Sequence, residues 1–137
     1  MRILFDTNVI VDVFLERGPF FRPAARLFEA VERERLEGLL GATTVTTVHY
    51  LVAKGSGQVN AHESIGELLR LFEVAAVNRA VLQQAAASEF SDFEDAVLHE
   101  AGRRSAADGL VTRDKDDFSA ATLAVYTPNE LVEALRR

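Results

Sequence analysis

Aspartates stand at separated places in this sequence from which they could act together on a phosphate ester. Asp6 follows one short apolar segment, Asp95 lies in the second half of the chain, and Asp114 and Asp117 follow another apolar segment. Carboxylates about 5 Å apart repel by about 3 kcal/mol per pair at an effective dielectric constant near 20, so such a cluster requires a cation. Oxygen ligands without cysteine or paired histidine favour Mg²⁺ or Mn²⁺ over Zn²⁺. Because such ions support phosphoryl transfer, the pattern predicts a metal-dependent nuclease site.

Each acid also has an ordinary structural interpretation. Asp6 and the two residues after it are good helix N-caps, and Asp92 is favoured by the positive end of a helix. Residues 91–94 (Ser-Asp-Phe-Glu) fit a capping box, which would occupy Ser91 and Glu94. Asp95 lies one position past that box and therefore has no capping role left. Asp116 is interpreted as a solvated loop residue.

Apolar patterning predicts strands that alternate with helices and could position these acids. The predicted strands are 2–5, 37–42, 73–77, 109–112 and 123–126. The predicted helices are 9–14, 21–35, a segment from 43 to the glycines at 55–57, 61–72, 79–88, 91–105 and 128–135. Such alternation implies parallel pairing through right-handed crossovers, hence an α/β three-layer sandwich with helices on both faces of the sheet. In such a sheet the ligand crevice lies beyond the carboxyl ends of the strands, where Asp6 and Asp114 are expected.

The composition is typical of an ordinary globular protein. A chain of 137 residues, 48% hydrophobic and 26% charged, is expected to fold as a single domain over residues 1–137. It contains no cysteine, which excludes disulfides, thiolate zinc sites and cysteine nucleophiles, and favours a reducing cytoplasm. The apolar start is too short for a signal peptide, and no apolar stretch is long enough to span a membrane. The net charge of −6 argues against passive binding of nucleic-acid backbones, although a bound cation can reverse the field at the acids.

Three acidic motifs stand out in the sequence. They are residues 5–10 (Phe-Asp-Thr-Asn-Val-Ile), 92–96 (Asp-Phe-Glu-Asp-Ala) and 112–118 (Thr-Arg-Asp-Lys-Asp-Asp-Phe). Together they resemble the PIN domain family, particularly the small bacterial PIN proteins related to VapC-like toxins, and the likeness covers nearly the whole chain. The last motif is the most specific.

The resemblance implies a Mg²⁺- or Mn²⁺-dependent endoribonuclease built on a five-stranded parallel sheet. It implies Asp6 and Asp95 as the principal metal ligands. Asp114 and Asp117 complete the catalytic cluster, with Asp114 as a further metal ligand. It also implies RNA as the substrate, a homodimer, and an antitoxin protein as partner if the chain is the toxin of a type II toxin–antitoxin pair.

Four further residues are assigned to the site by the same resemblance. Asn8 and Thr112 are similar to family residues that position carboxylates through hydrogen bonds. Asp92 is an optional member of the acidic set. His49 stands where many family members have a glutamate, and it is either a metal ligand, direct or through water, or a packed histidine.

One alternative function stays open, and the sequence speaks against a second. The missing glutamate at His49 is compatible with a catalytically weak or inactive PIN module that binds RNA or a protein partner. A receiver-like signalling domain shares the α/β sheet. Such a domain would carry an acidic pair after the first strand and a lysine after the last, and neither occurs here.

His99, one turn beyond Asp95, is interpreted either as facing the cleft or as structural.

Overall fold

Five parallel strands form one sheet at the centre of the computed structural model, which describes residues 1–137 throughout. The strands are Arg2–Phe5 (β1), Glu37–Gly41 (β2), Glu73–Ala75 (β3), Gly109–Val111 (β4) and Ala124–Tyr126 (β5). The helices are Thr7–Phe14 (α1), Phe21–Glu32 (α2), Ala42–Ser56 (α3), Gln58–Leu71 (α4), Arg79–Ala86 (α5), Phe93–Arg104 (α6) and Pro128–Leu135 (α7). The strand order is β3-β2-β1-β4-β5, and every pair is parallel. The predicted fold class is therefore confirmed.

Alternation of side chains along β1 explains the three layers. Ile3 and Phe5 point into the larger core, which is formed with residues of α1, α2, α3, α4 and α7. Leu4 points to the opposite face, where it packs with Leu98 of α6 and Phe118. Because successive residues of a strand face opposite sides and both sides are apolar here, helices must cover both faces of the sheet.

The predicted elements all exist, and the differences lie at their ends. Two short 3₁₀ helices, Gly18–Phe20 and Lys115–Phe118, were not predicted, since single turns have no apolar periodicity to detect. Helix α4 begins three residues earlier than predicted, at Gln58, directly after Gly57. None of the helices combines the length and the apolar character that crossing a membrane would require.

Two glycines allow α6 to approach the sheet closely. A Cβ atom on Gly102 of α6 would lie 2.6 Å from Cδ2 of Leu4, and one on Gly41 of β2 would lie 2.6 Å from Cδ1 of Leu98. Leu4 is fully buried and Leu98 nearly so, so neither side chain has space to withdraw. This close packing sets the distance between α6 and the sheet.

Substitution of Gly102 by alanine is expected to destabilise the fold. The added methyl group must displace Leu4 in a close-packed interior, which typically costs about 1–3 kcal/mol even after the gain in helix propensity. Urea unfolding monitored by circular dichroism measures the change. The matched control is Gly66→Ala in α4, where a Cβ meets no atom within 4 Å. That substitution is expected to stabilise the protein by about 0.5–1 kcal/mol, and equal effects at the two positions would contradict the packing account.

Candidate metal centre at the carboxyl edge of the sheet

The strand order reverses at β1, which pairs with β2 on one side and β4 on the other. Chain connections from β1 and β4 therefore leave the same edge of the sheet in different directions and open a crevice between them. Asp6 is the first residue after β1, and Thr112 is the first after β4. The sequence-predicted motifs at residues 5–10 and 112–118 thus meet at this point.

Asp6 is held rigidly on the floor of the crevice. Its side chain is 9% exposed, and it caps α1 by accepting a hydrogen bond from the amide of Thr7 at 2.8 Å. The hydroxyl of Thr112 donates to the other carboxylate oxygen at 2.7 Å. Burial raises the pKa of Asp6, these hydrogen bonds partly offset that effect, and the charges of Asp114 and Asp117 raise it further. The capping hydrogen bond and the one from Thr112 thus fix both oxygens of the Asp6 carboxylate.

Thr112 and Asn8 orient the loop that follows β4. The Thr112 hydroxyl accepts a hydrogen bond from the amide of Asp114 at 3.0 Å. The Asn8 amide nitrogen donates to Oδ2 of Asp114 at 3.1 Å, and its oxygen accepts from the amide of Arg113 at 3.3 Å. One continuous set of hydrogen bonds therefore connects Asp6 with Asp114, through the two residues that the resemblance assigned to positioning.

The N-terminus of α6 brings the middle motif to the same crevice. Asp92 is the N-cap, and its side chain accepts a hydrogen bond from the amide of Asp95 at 3.0 Å. The predicted capping box between Ser91 and Glu94 is therefore wrong, because the helix begins at Phe93 rather than Ser91. The backbone of Asp92 is extended, as is usual for an N-cap residue, so the structure gives Asp92 a capping role.

The pKa of Asp95 is shifted strongly from its ordinary value. Its carboxyl is half-buried, and no hydrogen bond to either oxygen is present in the structure. Burial is the first cause that raises the pKa of Asp95, from 3.8 to about 7, and the charges of Asp6, Asp92 and Asp117 follow. Asp6 and Asp117 belong to other elements than α6, so the fold gathers like charges that are far apart in the sequence.

Asp114 and Asp117 line the outer side of the crevice and are exposed to solvent. The amide of Asp117 donates to the carbonyl of Asp114 at 3.0 Å, which closes the turn that carries both carboxylates. Nowhere in the structure do three or more histidine or acidic side chains converge closely enough to form a complete metal shell. The donor set nevertheless fits a hard divalent cation, since it consists of carboxylate oxygens only, and those of Asp95 lack any competing donor.

The two histidines singled out in the sequence lie apart from this cluster. His49 packs against His62 of α4, with the ring nitrogens Nε2 and Nδ1 3.5 Å apart. His99 is 5% exposed, and its Nε2 accepts hydrogen bonds from the amides of Thr122 and Leu123. His99 thus has a structural role. No hydrogen bond joins either histidine to an acid of the crevice.

Two features of the site were not predicted. The hydroxyls of Thr7 and Thr44 share a hydrogen bond of 2.7 Å, through which α3 contacts the base of the crevice. Asp12 of α1 is fully buried beside Arg113. A signal for Asp12 did exist in the sequence, because a lone acid among the apolar residues of α1 needs a partner.

Comparison with protein families gives a match that spans most of the chain. The family model described as PIN domain matches residues 2–116. The match includes the whole sheet except β5, together with Asp6, Asp95 and Asp114.

Known proteins resemble the chain over nearly its full length. Ribonuclease VapC1 of Aquifex aeolicus (strain VF5) is 24% identical over 137 residues, covering 96% of this chain and 94% of that protein. The toxin–antitoxin complex from Klebsiella pneumoniae superposes with a TM-score of 0.71 at 21% identity, covering 92% of this chain and 97% of that chain. VapBC2 from Rickettsia felis, bound to a DNA fragment from its promoter, superposes with a TM-score of 0.70 at 12% identity, covering 93% and 98%. At these identities the structural likeness shows the fold.

The raised pKa of Asp95 predicts how the stability of the metal-free protein depends on pH. Because the folded-state pKa of about 7 exceeds the ordinary value of 3.8, the folded protein holds more protons than the unfolded chain between these values. Its stability therefore falls as pH rises through that window. Asp95→Asn removes this term, so at pH 8 in EDTA the variant is expected to be more stable than wild type by about 1 kcal/mol, a modest value because solvent screens the half-buried carboxylate.

Urea unfolding at pH 5 and pH 8 measures this difference. It should be clearly smaller at pH 5, where the folded wild type retains the proton. Asp116→Asn is the matched control, since Asp116 is an exposed aspartate, and it should change stability by less than about 0.5 kcal/mol at either pH. A stabilisation by Asp95→Asn that does not vary with pH would contradict the account.

Proposed function

Because the chain belongs to the PIN domain family, we propose that it is an endoribonuclease that works with Mg²⁺ or Mn²⁺. The observation that supports the proposal is the position of Asp6 at the switch point of the sheet, where the hydrogen bonds of Thr112 and Asn8 link it to the loop of Asp114 and Asp117. Asp95 lies close enough to Asp6 for the charge of Asp6 to raise its pKa. Such an arrangement costs free energy in the absence of a cation. A bound ligand therefore explains this arrangement of carboxylates better than a contribution to the stability of the fold does.

Asp6, Asp95 and Asp114 are the proposed metal ligands, and Asp117 completes the catalytic set. When bound, a divalent cation at these carboxylates would activate water, orient the scissile phosphate and neutralise charge on the departing oxygen. No preformed three-carboxylate shell exists in the structure, so closure of the ligands accompanies binding in this proposal.

The protein's own groups would act on orientation and protonation. The Thr112 hydroxyl and the Thr7 amide hold both oxygens of Asp6, so this carboxylate cannot rotate away from the crevice. Asn8 holds one oxygen of Asp114 and leaves the other available. With its pKa at about 7, Asp95 holds a proton for part of the time at neutral pH, and it would release that proton when a cation binds.

The proposed biological role is that of a toxin in a toxin–antitoxin pair, acting on RNA in the cytoplasm as a single PIN domain over residues 1–137. It is supported by the relatives, one of which is named a ribonuclease and two of which are described as toxin–antitoxin or VapBC structures. An antitoxin protein as partner and a homodimer as the associated state belong to the same proposal.

The competing candidate is a PIN module that binds RNA or a protein without cutting. One observation favours it: His49, in place of the family's usual acid, packs against His62 instead of adding a ligand to the crevice. The two candidates differ in whether the remaining acids bind a cation strongly enough to support hydrolysis.

Cleavage of single-stranded RNA by the purified protein distinguishes them. We expect cleavage that requires Mn²⁺ or Mg²⁺ and is abolished by EDTA. Asp95→Asn should reduce the rate constant by at least about 100-fold, the scale expected when a group that acts on the reacting atoms is lost. The rate is measured under single-turnover conditions, so that product release does not mask the effect.

Asp116→Asn is the control for this experiment, because it removes the same charge from an exposed position that is not a proposed ligand. It should retain the wild-type rate within about threefold, by the usual insensitivity of exposed surface positions. Identical cleavage by wild type and Asp95→Asn would show that the assigned site is wrong. Absence of Mn²⁺ binding in calorimetry would favour the non-cutting module.

A further inference from the structure

A buried ion pair lies directly beneath the loop that carries Asp114. The Asp12 side chain is 0% exposed, and its Oδ2 lies 2.7 Å from Nε of Arg113, close enough for an ion pair, although the N–H is not aligned for a hydrogen bond. Oδ1 of Asp12 has no hydrogen-bond donor in the structure. The carboxylate thus depends mainly on Arg113 for compensation of its charge, with Arg17 contributing at longer range.

Arg113 is restrained from more than one side. Its guanidinium carbon lies 4.1 Å above the centre of the Phe20 ring, in the 3₁₀ helix that follows α1. Its backbone amide donates to Asn8, as described above. Asn8 and Asp12 are four residues apart on α1 and therefore share one helical face, so α1 contacts the backbone and the side chain of the same loop residue.

The Asp12–Arg113 ion pair is not expected to stabilise the fold. Burial raises the pKa of Asp12, and the favourable effect of Arg113 only partly offsets that rise. Buried ion pairs of this kind are often no more stabilising than apolar side chains of similar volume. The pair instead fixes the position of Arg113, which lies in the chain between Thr112 and Asp114. The Thr112 hydroxyl donates to Asp6 and accepts from the backbone amide of Asp114, so this position bears on the loop beside Asp6.

We propose that Asp12 is a positioning residue, which acts through Arg113 and Phe20 to hold the loop 112–117 in the conformation that binds the divalent cation. This inference rests on the proposed function and deepens it, because it assigns part of the metal affinity to a side chain that touches no ligand. Loss of contacts that orient metal ligands commonly lowers metal affinity by about 10- to 100-fold.

A different role for Arg113, contact with an RNA phosphate, is less favoured by the structure. Its charge is already compensated by Asp12, and its side chain is only 22% exposed. A phosphate contact would nevertheless have a distinct signature. Removing it should reduce the slope of log affinity against log salt concentration by about one.

The test is a double-mutant cycle with Asp12→Leu, Arg113→Met and the combined variant. Arg113→Met leaves a buried carboxylate uncompensated and should lower the Tm of the metal-free protein by roughly 10 °C. The combined variant replaces the pair by apolar side chains and should recover a Tm close to that of wild type. Its affinity for Mn²⁺, measured by calorimetry, should still be about tenfold weaker than wild type.

Glu100→Leu is the matched control. Glu100 is another nearly buried carboxylate paired with arginines, 2.6 Å from Arg103 and 2.9 Å from Arg104, but it belongs to the later part of α6. Its loss should lower Tm and leave Mn²⁺ affinity unchanged. This control separates a specific effect on the loop from a general effect of lower stability.

Hydrogen exchange of the amides of Arg113 and Asp114 gives a measurement that needs no metal. Both amides donate to side chains in the structure, and both should exchange faster in the combined variant. Wild-type Mn²⁺ affinity with unchanged exchange in the combined variant would overturn the proposal. So would a salt slope reduced by one for binding of single-stranded RNA in EDTA, together with wild-type Mn²⁺ affinity.

Failure of the proposed function has a different signature. If wild type itself binds no Mn²⁺, the nuclease proposal fails, and amide exchange alone then decides whether Asp12 restrains the loop.

Discussion

Burial of acidic side chains at the carboxyl edge of the sheet shapes this site. Asp6 is buried at the end of the central strand, and burial together with the charge of Asp6 raises the pKa of Asp95, in the first turn of α6, to about 7. Charged carboxylates so placed cost stability in the absence of a cation. In our proposal a divalent cation offsets that cost when the protein works.

Neighbouring contacts restrain the groups around Asp6. Thr112 and the start of α1 hold Asp6, and Gly102 allows α6 to pack closely on the sheet. Asn8 and, in our proposal, Asp12 restrain the loop after β4. Packing on one side of the sheet and hydrogen bonds at its edge thus together hold the floor of an acidic crevice, while its exposed outer acids can still move toward a cation.

The sequence predicted the parallel sheet and the meeting of its acidic motifs, because apolar periodicity and strand-end acids are both local signals. Thr112 and Asn8 were found through the resemblance, and their hydrogen bonds agree with the positioning role assigned to them. The cap of α6 was misassigned to Ser91, since a shift of one residue exchanges one good capping residue for another, Asp92. The Asp12–Arg113 pair joins residues about a hundred positions apart, and no local pattern reports such a contact.

Diffraction from crystals soaked in MnCl₂, recorded at a wavelength where manganese scatters anomalously, shows whether a cation binds in the crevice. We expect an anomalous peak in the crevice within ligand distance, about 2.0–2.3 Å, of carboxylate oxygens of Asp6 and Asp95, with Asp114 or Asp117 drawn inward. An empty crevice, or a peak held by His49 and His62 instead, would contradict this expectation.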